Sequence, residues 1–464
     1  MSLNTPVDLA RQLRGTLTLR GDAGFEAARV DRVFNRRYAS RQPAAVLRAA
    51  DENDVVLGVR LAAERGWRVA VRSGGHSWAQ WSVRDDALVI DLGELQEMAY
   101  DSETGTATAS PAVRGGSELG PFLEQQGRFF PGGHCPTVGI GGFLLQGGQG
   151  WNCRGLGWAA EYVEAVDVVT AAGELVHASA AENADLYWAA RGAGPGFFGV
   201  VTRFYLRTLP KPAHVAQTVH AYSLDEFDEV MTWLHETHAS VADTVEIVAL
   251  TKTDPNIAPV PVLLVTGVAL VDDAAAAHEA LAPFRTSPAL DRAWLVLDAQ
   301  PTTIDAQRAR QRHDNPEGHR WAVDNAWLTG PADEVVPAMR RAYTTLPNGK
   351  SFTIWFSMAP LRRLPDMAFS LQTEVYLASY VVWEDPADDA ANQAWLTSVV
   401  TDLQPVTAGQ YLGDSDLSIR QLRVLSDDAW ARLQKIRAER DPDGLFCGYL
   451  AGDAGALNRN HWDA

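Results

Sequence analysis

The feature that most constrains this chain is a pair of reactive side chains, each framed by glycines. His76 closes the run Arg72-Ser73-Gly74-Gly75-His76-Ser77, and Cys135 sits inside Gly133-His134-Cys135-Pro136-Thr137-Val138-Gly139-Ile140-Gly141-Gly142, which opens a glycine-dense stretch reaching Gly148 and Gly150. Glycine has no Cβ, so runs of this kind let backbone close on a bulky neighbour. The fold must bring two such loops to one large partner surface.

The residues around the loops indicate how they are held. Residues 51–66 read as a capped helix and 67–71 as a short strand that runs into the His76 loop, where backbone N–H groups at a strand end can converge on a phosphate. Residues 87–92 form another strand, 117–126 a helix ended by Gly127, and 164–170 with 174–177 a hairpin. Asn183 is expected to cap a helix through Ala190, and 200–209 alternate as a strand until Pro210-Lys211-Pro212 interrupts the pattern. At 464 residues the chain exceeds what one core usually serves, and the first domain boundary is placed at that proline pair. Beyond it, helices at 225–238, 272–284, 332–346 and 388–403 alternate with strands at 245–251, 260–270, 352–358 and 371–383. Stretches near 254–261 and 301–320 look like surface loops, and a helix over 427–440 stops at Asp441-Pro442-Asp443-Gly444-Leu445-Phe446. The fold class is α+β, divided as 1–212, 213–408 and a tail 409–464 that returns to the first part.

Composition excludes several classes. A formal charge of −18 repels phosphate backbones and anionic lipid, so neither nucleic acid nor membrane is an expected partner. Residues 1–30 lack the apolar run of a secretory signal, so the expected address is cytoplasmic. Three cysteines make no disulfide framework, and no metal site is expected. His313 and His319, six apart around Asn315-Pro316, read as solvated loop histidines rather than ligands. Small-molecule chemistry remains. A neutral imidazole and a thiol in glycine frames are the nucleophiles a protein needs to tether a flavin ring at two carbons.

The segment from about Arg41 to Leu209, with the two runs above, Arg191-Gly192-Ala193-Gly194 and Phe198-Gly199-Val200-Val201-Thr202, resembles the berberine-bridge-enzyme-like branch of the vanillyl-alcohol-oxidase flavoproteins, whose FAD-binding domain is of the PCMH type. The closing run 441–446 is similar to that branch's ending. The resemblance implies FAD held between two α+β subdomains, joined to His76 at the 8α carbon and to Cys135 at C6. It also implies a substrate domain whose antiparallel sheet covers the isoalloxazine. The cofactor contacts expected from the matching positions are Arg72, Ser73, Gly74, Gly75, Ser77, Thr137, Val138, Gly139, Gly141, Gly142, Gly148, Val200 and Tyr449. Val138 matches a position where oxidases of the family leave oxygen a path, so O2 is the expected acceptor.

Hydride transfer also needs a base on the substrate side. Alternation along 371–383 puts Gln372, Glu374, Tyr376, Ala378 and Tyr380 on one face, the one expected to meet the flavin. For Glu374 the alternative is an exposed strand charge, and for Tyr376 and Tyr380 it is sheet packing. Where relatives carry Tyr-x-Asn, this chain has Gly409-Gln410-Tyr411-Leu412-Gly413-Asp414. Tyr411 is the favoured base, expected to ionise below the usual tyrosine value; anchoring on Tyr411 puts Gly413 at the Asn place, and anchoring on Leu412-Gly413-Asp414 puts Gln410 there. Gly194-Pro195-Gly196-Phe197-Phe198-Gly199 has dinucleotide-type glycines but lies between helix and strand in the wrong order, so NAD is rejected and the loop is expected to pack on FAD. Of Trp321, Trp327, Trp355 and Trp383, one or two are expected at the substrate and the rest in the core. The expected activity is oxidation of an alcohol, hemiacetal or amine carbon in a bulky sugar or secondary metabolite, with hydrogen peroxide as by-product. Oxidative ring closure, a dehydrogenase with another acceptor, and a non-catalytic flavoprotein are the alternatives. A monomer or homodimer is expected.

Overall fold

A computed structural model describes residues 11–417 and 420–450. The first layer is a four-stranded sheet of β1 (Thr16–Leu19), β2 (Ala45–Arg48), β3 (Arg68–Arg72) and β4 (Ala87–Asp91), ordered β1-β2-β4-β3. Helix α1 (Glu52–Arg65) crosses between β2 and β3, which pair in parallel with β4. Its ends are set locally: the Asp51 carboxylate accepts the Asp54 N–H, and Gly66 takes the left-handed conformation that closes it. Val55, Val59 and Ala62 recur on its buried face.

The second sheet holds β5 (Met98–Asp101), β6 (Thr106–Ala109), β7 (Val163–Val169), β8 (Leu175–Ser179) and β9 (Val200–Arg207), ordered β5-β6-β9-β7-β8. The β7–β8 hairpin forms where the sequence indicates. Residues 117–126 do not form one helix: a π turn over Gly115–Leu119 precedes a helix of only Gly120–Glu124. Asn183 does not cap its helix through its side chain, which donates to the His177 carbonyl instead.

The third sheet has eight strands: β10 (His214–Tyr222), β11 (Val245–Thr253), β12 (Pro261–Val271), β13 (Leu295–Thr302), β14 (Arg320–Leu328), β15 (Phe352–Ser357), β16 (Val375–Trp383) and β17 (Thr407–Gly409). They are ordered β13-β10-β12-β11-β15-β16-β14-β17, and each pair is antiparallel. Helices α2 (Phe227–Thr237), α3 (Ala274–Ala280), α4 (Ile304–Asp314), α5 (Ala332–Thr344) and α6 (Asp389–Asp402) accompany it. Phe227, Val230 and Leu234 of α2 and Val335, Met339 and Tyr343 of α5 pack with Val245, Ile247, Ala249 and Trp355 of the sheet. That leaves the opposite sheet face for a ligand.

The substrate-side half also departs from expectation. The 301–320 stretch is no loop, because α4 fills most of it; its composition is polar on nearly every side, so it carries no amphipathic stripe for a sequence reading to find. Strand β14 is interrupted in sequence by Asp324 and Asn325, yet both are fully buried because tertiary partners satisfy them. Asp324 accepts from Arg420 at 3.0 Å, and Asn325 donates to the Tyr411 carbonyl at 2.9 Å.

The last helix, α7 (Asp427–Arg440), returns the chain to the first half. Leu433, Ile436 and Phe446 join the core built on α1, β2 and β4. The Asp441 carboxylate accepts the N–H groups of Leu445 and Phe446, and Val69 of β3 exchanges backbone bonds with Leu445 and Cys447.

Candidate active site

The open face of the eight-stranded sheet and the two glycine loops enclose one cavity of about 1200 Å³. Ligand pockets usually span roughly 300–1000 Å³. The space therefore suits a large cofactor with a substrate beside it.

The loop wall is made by close backbone contact. A Cβ on Gly74 would lie 2.6 Å from the Gly139 nitrogen, so only glycine lets the His76 and Cys135 loops touch. The Ser73 hydroxyl accepts the Gly142 N–H and ties them further. Thr137 lies beside the reactive side chains: its hydroxyl is 3.5 Å from the Cys135 sulfur. His76 stacks on Phe34 at 4.3 Å, and burial with the nearby Arg114 charge pushes its pKa down to about 3, so the ring is neutral at working pH. Burial raises the Cys135 thiol, opposed by the Thr137 hydrogen bonds.

The sheet wall is made by register. Opposed residues give a row of Val219, Thr266, Val248, Phe356 and Tyr376, and the next row holds Leu264, Leu250, Ile354 and Ala378. Leu295 and Leu297 extend the lining. Apart from Thr266 and the Tyr376 hydroxyl, those rows are hydrocarbon.

At the edge of this wall, two donors converge on Asp414: Tyr376 donates to it at 2.7 Å and the Trp78 indole N–H at 3.1 Å, and Tyr380 packs edge-on against Trp78 at 5.8 Å. Burial, then the Asp414 charge, raises both phenols well above the usual tyrosine value, so they remain protonated donors. Tyr411 is buried behind them and accepts the Gln149 N–H at 3.1 Å.

Residues 43–179 match the family model of an FAD binding domain. Across 95% of this chain and 96% of the relative, the sequence is 34% identical to the FAD-linked oxidoreductase ptmO of Penicillium ochrochloron.

The chain belongs to the FAD-linked oxidoreductases.

Among solved structures, 6-hydroxy-D-nicotine oxidase from Arthrobacter nicotinovorans matches with a TM-score of 0.81 at 21% identity, over 94% of this chain and 97% of that one. The Physcomitrella patens BBE-like 1 protein matches with 0.81 at 20% identity, over 96% and 98%. The fold is that of the berberine-bridge-like, PCMH-type flavoenzymes, with the antiparallel sheet over the cofactor side.

The residues present fit FAD in this oxidoreductase: the cavity volume, the glycine cradle and a neutral imidazole beside a thiol suit a tricyclic ring and its dinucleotide tail. Ser73, Gly74, Gly75, His76, Ser77, Cys135, Val138, Gly139, Gly141 and Gly142 all line the cavity, as do Gly194, Pro195, Phe197 and Gly199. Other sequence candidates lie elsewhere. Arg72 reaches the wall, but its guanidinium is taken by Asp91 at 2.9 Å and by the carbonyls of Arg29 and Ala28, which makes it a structural arginine. Val200 is fully buried between Gly199 and Val201, which do line the cavity, as strand alternation requires. Tyr449 is off the wall and donates to the Ala193 carbonyl at 2.7 Å, bracing the 193–196 loop. Gly148 also lies outside the lining, its carbonyl accepting the Ala159 N–H.

On the substrate side, Tyr376, Tyr380 and Tyr411 line the cavity, whereas Glu374 and Gln410 do not. Strand β16 begins at Val375, so Glu374 precedes it and is exposed. Gln410 is fully buried away from the cavity, donating to Asp324 and accepting from the Leu422 N–H. The expected lowering of Tyr411 is reversed: burial raises it above the usual value. A Cβ on Gly413 would meet the Tyr411 ring at 2.4 Å, so that position packs directly on Tyr411. Trp321, Trp327, Trp355 and Trp383 are all buried off the lining, and the tryptophans that reach it are Trp78, Trp81 and Trp151. Asp414 is the residue that sequence reasoning passed over. It directly follows Gly413, but nothing local shows that donors from two distant elements meet it.

Proposed function

We propose that the protein is an oxidase acting on a carbon that bears a hydroxyl or amine in a bulky, largely apolar secondary metabolite, with FAD tethered through His76 and Cys135. The observation that carries the reading is the convergence of Tyr376 and Trp78 on Asp414 beside the apolar sheet wall. Bound FAD would supply the two-electron acceptor, restored by O2 with release of hydrogen peroxide. The chain's own part is to seat the substrate and move its proton. The row from Val219 to Tyr376 packs the carbon skeleton and excludes water, which favours a hydrocarbon framework over a sugar. A phenol of the cluster receives the substrate O–H or N–H proton on its oxygen while its own proton passes to Asp414. Tyr411, off this relay, fixes the Gly148–Gln149 turn. Phe34, stacked on His76, holds the imidazole in place for attachment.

The test is a panel of polycyclic alcohols, cyclic amines and xylo-oligosaccharides scored by peroxide in air and by flavin bleaching without it. Peroxide with the polycyclic compounds and none with the sugars is expected. Turnover of the oligosaccharides alone would overturn the apolar reading, and bleaching without peroxide would replace the oxidase with a dehydrogenase.

A further inference from the structure

A second polar pair faces the same cavity and takes no part in the Asp414 cluster. The His134 Nε2 lies 3.0 Å from both carboxylate oxygens of Glu246, and Glu246 also accepts the Asn152 N–H at 2.6 Å. Both residues line the cavity, and both side chains are shielded, at 16% and 7% exposure. In the neutral tautomer that donates to Glu246 from Nε2, Nδ1 is left with a free lone pair. Among the described residues Nδ1 has no partner. The ring is fixed by packing, 4.4 Å from Trp151 and 5.4 Å from Phe356, and the Gly133–Gly150 bridge sets the backbone.

Its position relative to the proton relay matters. Phe356 is opposite Val248 on one side and Tyr376 on the other, and Glu246 is two residues before Val248 on the same sheet face. Tyr376 and His134 thus flank one phenylalanine ring, 6.3 Å and 5.4 Å from it. A rigid skeleton lying across Phe356 meets the relay at one end and a lone acceptor at the other, with hydrocarbon between.

We propose that His134, held by Glu246, is a specificity-determining residue: its Nδ1 accepts a hydrogen bond from a second hydroxyl or amino group of the substrate, on the far side of Phe356 from the carbon oxidised. The inference rests on the apolar-substrate reading above and names what that substrate must carry besides its oxidisable group. An imidazole acceptor in a hydrocarbon wall discriminates strongly, because a partner lacking the donor leaves it desolvated and unpaired.

The experiment uses the holoenzyme with 2-naphthol and 2-methoxynaphthalene, which share a skeleton but differ in the donor, and follows binding by perturbation of the flavin spectrum and quenching of tryptophan fluorescence. The wild type is expected to bind the naphthol about tenfold more tightly. H134L should bring the ratio to about one, and H134N, whose amide oxygen occupies the Nδ1 place, should retain most of it. A general loosening of the fold weakens both compounds alike and leaves the ratio unchanged, so the ratio separates recognition from structure. A ratio unaltered in H134L, or one abolished instead by D414N, would overturn the proposal while leaving the apolar cavity intact. If neither naphthalene binds, the apolar-substrate reading fails and takes this one with it.

Discussion

On the loop side of the cavity, His76, Cys135 and Thr137 come from two short runs whose glycines touch backbone to backbone at Gly74 and Gly139. On the sheet side, Tyr376, Phe356, Val248 and Thr266 come from four strands and meet only through antiparallel register. The loop wall is thus specified by what glycine permits, at identifiable positions in the chain. The sheet wall is specified by alternation, and any one of its residues could have been a different apolar residue without changing the fold. On the proposed function, the difference separates tethering from recognition: the loops would hold a constant partner, and the sheet would shape a variable one.

The largest expected effect breaks the loop side. H76A with C135A should abolish colour retained on the denatured polypeptide, whereas either single variant keeps one attachment; this is read as flavin fluorescence on a denaturing gel. Colour that survives the double variant would remove tethering from the function. Next is the edge of the sheet side. D414N should slow flavin reduction by substrate about 10²–10⁴-fold, the range for a lost proton acceptor, with the tether unchanged in the same gel assay. Loss of the tether together with the rate would show that the two walls are not independent.

A smaller effect tests the hydrocarbon character of the sheet wall. I354N places an amide between Leu250 and Ala378 and should weaken binding of apolar probes about tenfold, without altering the flavin spectrum. The smallest prediction lies behind the sheet, at His238, which bonds the Ser357 hydroxyl at 2.8 Å. Burial, then the neighbouring His235 and Arg154 charges, pushes its pKa down to about 4. The unfolded chain takes up this proton near pH 6.5 and the folded one only near pH 4, so stability falls as the pH drops through that window, by about 1.4 kcal/mol per pH unit. H238N should remove that part of the slope in denaturant titrations and leave the cavity unaffected.

The same contrast explains what could be read in advance. Helix α1 was legible because its cap, apolar face and terminal glycine all lie within sixteen consecutive positions, residues 51–66. The His76 and Cys135 loops were legible because their glycines are contiguous with the reactive residues. Alternation placed Tyr376 and Tyr380 on one face correctly, but it extended the strand back to Leu371, whereas the strand begins at Val375 and Glu374 keeps one backbone bond, its carbonyl accepting the Met358 N–H. Gln410 looked available because its partners, Asp324 and Leu422, are remote from it or lie on a turn with no signature. Tyr411 was assigned a lowered pKa from its motif, whereas its actual surroundings are aromatic: Trp158, Trp327, Phe369 and Tyr376 all lie within 6.3 Å of its ring. Such surroundings disfavour the phenolate.

The sequence alone determined the two glycine-framed loops and the α+β class, because both depend on local conformational rules acting over a few residues. Tertiary structure decided which acid–base groups share the cavity. Asp414 with Tyr376 and Trp78, and His134 with Glu246, are joined across 38, 336 and 112 residues, respectively. No local preference encodes such pairs: they form only when burial of both sheet faces fixes the register and places their side chains within hydrogen-bonding reach.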